Sequence, residues 1–134
     1  MKLPTMKIEK RNRLIYWIAT AWLALGMLST AIVQLLHHQQ ELDSITHLGY
    51  PAYLLTIIGA WKILGVIAVL VPGFLLLKEW AYAGFFFVMS GAVVSHIIMN
   101  DSFKEIGPGL LLIALTVLSW YFRPPNRRIA TNSN

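Results

Sequence analysis

Hydrophobic and polar stretches alternate along this chain on a scale too long for a soluble fold. From Leu14 to Leu36 it runs 23 residues without a formal charge, enough for a helix to cross a hydrocarbon layer of about 30 Å. A secretory signal would have an apolar core of about 7–15 residues ending at a small-residue cleavage site. Here Ala19-Thr20-Ala21 lies inside the run, so no cleavage is expected. The polar stretch His37 to Tyr50 then reads as a loop with at most a short surface helix. Pro51 suits the first position of a helix and opens a second apolar segment, which stops at Pro72-Gly73. Phe74 to Glu79 reads as a tight turn, which makes the second and third helices antiparallel neighbours. The third span ends at Asn100-Asp101, and the fourth closes on Trp120-Tyr121-Phe122, an aromatic belt suited to a membrane interface. The pattern predicts an all-α protein, a four-helix transmembrane bundle with helices at about 14–36, 51–71, 80–99 and 106–122. A basic segment, 1–13, precedes it, and a basic tail, 123–134, whose end from Ile129 reads as frayed, follows.

Composition agrees with the pattern: 57% of residues are hydrophobic and 13% charged, against roughly a quarter charged in soluble domains. The lipid bilayer is the first partner. A net charge of +5 raises nucleic-acid binding, but the basic residues cluster at chain ends and beside apolar runs, so no nucleic-acid role is expected. One side of the membrane would hold nine Lys and Arg (Lys2, Lys7, Lys10, Arg11, Arg13, Lys78, Arg123, Arg127, Arg128) and the other only Lys104. By the positive-inside rule both termini are cytoplasmic. The absence of cysteine excludes disulfides, thiolate nucleophiles, Cys-ligated zinc and iron–sulfur clusters. The spans hold no nucleophile–base–acid set and no paired carboxylates, so no self-contained catalytic site is visible. An enzymatic role would be that of a subunit.

Two ionisable residues fall inside the spans. Lys62 lies within the second, where an unpaired charge costs about 2.5–3.5 kcal/mol or more. It shares a helical face with Gly59 and Gly65, small residues that let a helix or ligand approach. The alternative is that its stem snorkels toward the inner surface. His96, in the third span, shares a face with Phe85, Met89, Ala92 and Asn100, with Thr30, Gln34, Tyr53 or Thr56 at similar depth. It would line an outward cavity or bond a neighbouring helix. The stripe Gly84, Gly91 and Ser95 is expected to make the tightest helix contact. His37, His38, Glu41, Asp43 and His47 could hold zinc or copper weakly, but adjacent histidines point in different directions and a solvated loop explains the set without a metal, so no metal site is expected.

The blocks His47-Leu48-Gly49-Tyr50-Pro51, Gly59-Ala60-Trp61-Lys62-Ile63-Leu64-Gly65 and Lys78-Glu79-Trp80-Ala81-Tyr82-Ala83-Gly84-Phe85 resemble the DoxX-like family of small four-helix integral membrane proteins. The similarity continues through Ser95-His96 to Arg123-Pro124-Pro125. The resemblance implies a protein of the bacterial inner (plasma) membrane. Some members of the wider family are linked to quinone-connected or oxidative-stress oxidoreductase complexes. It implies a membrane subunit that binds a small hydrophobe such as a quinone for an oxidoreductase partner, with Lys62, His96, Trp61 and Asn100 as contacts. A scaffold or assembly factor without chemistry, or a small transporter working as a homo-oligomer, are the alternatives. Relatives often carry aspartate where this chain has Val88, near the depth of Lys62. Lys62 is therefore expected without an acidic partner, satisfied by Ser90, backbone carbonyls or water, deprotonated, or snorkelled inward.

Overall fold

The computed structural model describes residues 3–129, with side chains from Lys7 onward. Lys2 and the tail beyond Ile129 lie outside the described residues. The chain forms five α-helices, α1 (Leu3–Leu35), α2 (Gln39–His47), α3 (Leu54–Leu70), α4 (Leu75–Ile98) and α5 (Phe103–Tyr121), then a 3-10 turn at Pro125–Arg127. No strand is present among the described residues. Three helices, α1 from Lys7, α4 and α5, are long and apolar enough to cross a membrane; α3 is apolar but shorter, at 17 residues.

Element boundaries follow local chemistry. The basic N-terminal residues continue the same helix as the first apolar run, giving α1 33 residues and a length of about 50 Å. α3 starts at Leu54 because residues 51–53 form tighter turns, with Leu54 N–H donating to Pro51 and Leu55 N–H to Ala52, each at 3.1 Å. α4 starts earlier than Trp80 because Gly73 and Phe74, at φ of 78° and 51°, complete the reversal after Pro72. The ends of α1, α2 and α4 share one device. His37, Gly49 and Asn100 adopt the left-handed conformation, and the next residue's N–H returns to the carbonyl of Val33, Ile45 or His96 at 2.9–3.0 Å.

α1 packs on α3 and α5, and α4 packs on the same two helices from the opposite side, while α2 lies against α1 and α3. The centre is filled by Leu23 and Met27 of α1, Val66 of α3, Phe85 and Met89 of α4 and Leu115 of α5. A buried hydroxyl chain crosses the bundle, Tyr82 to Ser119 at 2.8 Å and Ser119 to Thr20 at 2.6 Å. Outside, Trp22, Leu25, Leu64, Phe87 and Ile98 are exposed, an apolar surface that lipid satisfies and water does not.

The two ends of the bundle differ. At one, cations cover the last carbonyls of α3: Lys78 donates to Ala68 at 2.8 Å and to Val71, and Arg127 donates to Val69 and Leu70 at 3.0 and 3.2 Å. Positive charge at a helix C-terminus meets the negative end of its dipole. Arg127 also lies 4.8 Å over Trp17, and Arg123 pairs with Glu79 at 2.8 Å. Lys78, expected in a loop, sits in the first turn of α4 and is 1% exposed. Histidines and Asp101 occupy the opposite end.

Candidate functional site

Lys62 is 4% exposed. Its Nζ donates to Thr30 Oγ1 of α1 at 3.1 Å, and Thr30 sends its own proton back to the Gly26 carbonyl at 2.9 Å. The threonine oxygen is thereby left as an acceptor. Among the described residues no acidic side chain forms an ion pair with Lys62. Its partner is not Ser90, which donates to the Phe87 carbonyl at 3.1 Å. The stem does not run along α3 to the basic end; it crosses to the half of α1 nearer the histidines.

Two clefts meet at this side chain. The first, about 290 Å³ between α3 and α4, is lined by Trp61, Leu64, Trp80, Gly84 and other apolar residues. The second, about 310 Å³ and reaching under α2, is lined by Gln34, Glu41, Tyr50, Ser95 and His96. Ile58, Lys62 and Val88 belong to the walls of both. Val88 thus shares its surroundings with Lys62.

The other expected residues divide between the two clefts and the turn after α4. Trp61, 66% exposed, forms the rim of the first cleft. His96 lines the second and is held by Asp101, Nδ1 to Oδ2 at 2.7 Å; the other carboxylate oxygen meets His47 Nε2 of α2 at 2.8 Å. These bonds, His96 first and His47 next, hold the Asp101 carboxyl below the usual carboxylate range. Asn100 lines neither cleft. Its left-handed turn, φ 57°, brings Asp101 back beneath His96. Thr56 bonds His37 at 2.8 Å, not His96.

The glycines correct one expectation. Gly84 and Gly91 have no neighbour within 4 Å of where a Cβ would stand, so they floor the clefts instead of making helix contacts. The close approaches are at Gly59 and Gly65 of α3, where a Cβ would lie 2.8 Å from Leu35 and 2.6 Å from Phe85, and at Gly26 of α1 and Gly109 of α5, each 2.8 Å from a side chain of the neighbouring helix, Leu112 and Val93. Glu41, Tyr50 and Asp101 join the site from α2 and the loops, where sequence offered no register to connect them with Lys62. Among the described residues no group of three or more His, Asp or Glu side chains is placed to hold a metal ion.

A model of the DoxX-like family matches residues 18–119. No curated protein and no solved structure matches the chain.

Proposed function

The chain belongs to the DoxX-like family and is a membrane protein, and from the two clefts that meet at Lys62 we propose that it is a non-catalytic membrane subunit holding a small hydrophobe such as a quinone for an oxidoreductase partner. In this reading α1, α3, α4 and α5 form a four-helix transmembrane bundle in the bacterial inner membrane, with both termini cytoplasmic. α3 supports this as the fourth span, since it runs between the two ends of the bundle with α1 and α4 on either side. The basic end, with Lys78, Arg123 and Arg127, supports the cytoplasmic assignment.

The carrying observation is Lys62, a buried amine whose one hydrogen-bond partner among the described residues is Thr30, in the wall of an apolar cleft on the lipid-facing side of the bundle. In low dielectric such a donor binds a carbonyl or phenolic oxygen far more strongly than in water. Trp61 and Trp80 offer aromatic faces to a flat ring entering from lipid. His96 completes the polar side, and Asn100 acts by positioning Asp101 against it. A transport path through one copy has little support, because Leu23, Met27, Phe85 and Met89 fill the centre.

The test is mass spectrometry of small molecules that copurify in mild detergent with the wild type and with Lys62→Met. A quinone or similar lipophile held by the wild type and lost from the variant is the expected result. An empty wild type beside an equally folded variant overturns the reading and favours a scaffold.

A further inference from the structure

The cations of the basic end divide by what holds them. Lys78 and Arg127 cover the last carbonyls of α3, and Arg123 pairs with Glu79. Lys7, Lys10 and Arg11 of α1 are exposed, and none of them forms an ion pair among the described residues. Their one side-chain hydrogen bond among those residues runs from Arg11 to the neighbouring Asn12, at 3.5 Å. At about 100° per residue, all three fall within about 60° of Leu14 around the helix axis. Toward the middle of the bundle the same face carries Leu14, Trp17, Ile18 and Leu25, every one exposed. The face that α1 turns to lipid thus continues, in unbroken register, into three cations. Glu9, the one acid in the segment, falls on the other side of the helix, in line with the buried Tyr16 and Leu23. Arg13 also leaves this face and lines up with the buried Thr20.

Depth matches a lipid headgroup as well. Trp17, with Arg127 stacked 4.8 Å over it, marks the membrane boundary on this face. Lys10 and Arg11 stand one turn, about 5 Å, beyond Leu14, within a headgroup layer about 5–7 Å deep on each side. They flank the line that Leu14, Ile18 and Leu25 draw along the helix. Lys7 follows one turn further out, near enough to act through a Debye length of about 8 Å. We propose that this face of α1 binds an anionic phospholipid, its phosphate between Lys10 and Arg11 and its acyl chain along Leu14, Ile18 and Leu25. A head of no net charge would leave three cations unmatched, and Glu9, turned away, sets no like charge against the phosphate. The site is separate from the clefts at Lys62 and independent of what they hold.

The experiment is native mass spectrometry of the purified full chain, titrated in mild detergent with phosphatidylglycerol and with phosphatidylcholine of identical acyl chains. Phosphatidylglycerol is expected to bind about tenfold or more tightly at low salt, since each Lys or Arg near the surface strengthens attraction to an anionic lipid. Arg11→Gln is expected to reduce that preference by about threefold or more. Arg13→Gln, the same change two residues away on another face, is expected to leave it within about 1.5-fold of wild type. Equal affinity for the two lipids overturns the site. Equal losses in the two variants make the preference a diffuse charge effect and overturn the assignment to this face. Glycerol 1-phosphate binding as tightly as the lipid would make this a site for a soluble anion and overturn the lipid. Both arginines are exposed and glutamine is close to arginine as a helix former, while the wild-type comparison needs no variant and stays decisive if either misfolds.

Discussion

Asp101 accepts from two histidines that belong to different helices, and its titration reports on that junction. Its carboxyl is held below the ordinary 3.8 by the His96 and His47 bonds. A carboxyl depressed in the folded state adds stability that is fully present above the unfolded value, and this is lost as the pH falls through the folded one. Wild type is therefore expected to melt at a higher temperature than Asp101→Asn at neutral pH, the gap closing on acidification below about pH 4. Scanning tryptophan fluorescence in detergent measures this, and a gap that persists unchanged at low pH would remove Asp101 from the latch. Lys62 behaves in the opposite sense. Its burial is costly and a single threonine partners it, so Lys62→Met is expected to keep or raise the melting temperature. A large drop would make Lys62 a structural residue and not a reserved donor.

At the scale of elements, small residues divide by what faces them. Gly59→Ala and Gly65→Ala set a methyl against Leu35 and Phe85, and each is expected to destabilise by about 1–3 kcal/mol in reversible detergent unfolding. Gly84→Ala and Gly91→Ala meet open space and are expected to stay within about 1 kcal/mol of wild type, on the stabilising side. The reverse order would mean that α4 packs by its glycine stripe after all. Sequence spacing showed that glycines line both helices but not which stripe meets a partner, because that depends on how α3 and α4 rotate against each other. Lys62 was legible alone, as a charge inside an apolar run, whereas Thr30 as its partner requires the register between α1 and α3. Lys78 was hidden for another reason: beside Glu79 and after Pro72-Gly73 it reads as a loop residue, and its role is a tertiary contact with the end of α3. Lys78→Met leaves those carbonyls without a cation and is expected to cost about 1.5–3 kcal/mol in the same assay.

Over the whole molecule the charge asymmetry read from sequence reappears as two chemically distinct ends. The basic end gathers Trp17 of α1, the last turn of α3, the first turn of α4 and Arg123 and Arg127 after α5. The other gathers His37, α2, His96 and Asp101. In the proposed reading, with α3 as the fourth span, each crossing exchanges these ends, so the chain returns to the side on which it began and α2 lies on the opposite side. Because the chain has no cysteine, single cysteines report this directly. Gln40 of α2 and Asn126 near the C-terminus are both exposed, so neither substitution disturbs packing. In intact cells a membrane-impermeant maleimide is expected to label Gln40→Cys and spare Asn126→Cys until the membrane is permeabilised. Labelling of Asn126→Cys alone would invert the orientation and place the Glu41 cleft on the cytoplasmic side. Labelling of both without permeabilisation would mean that the chain crosses an odd number of times, which α3 failing to span would produce.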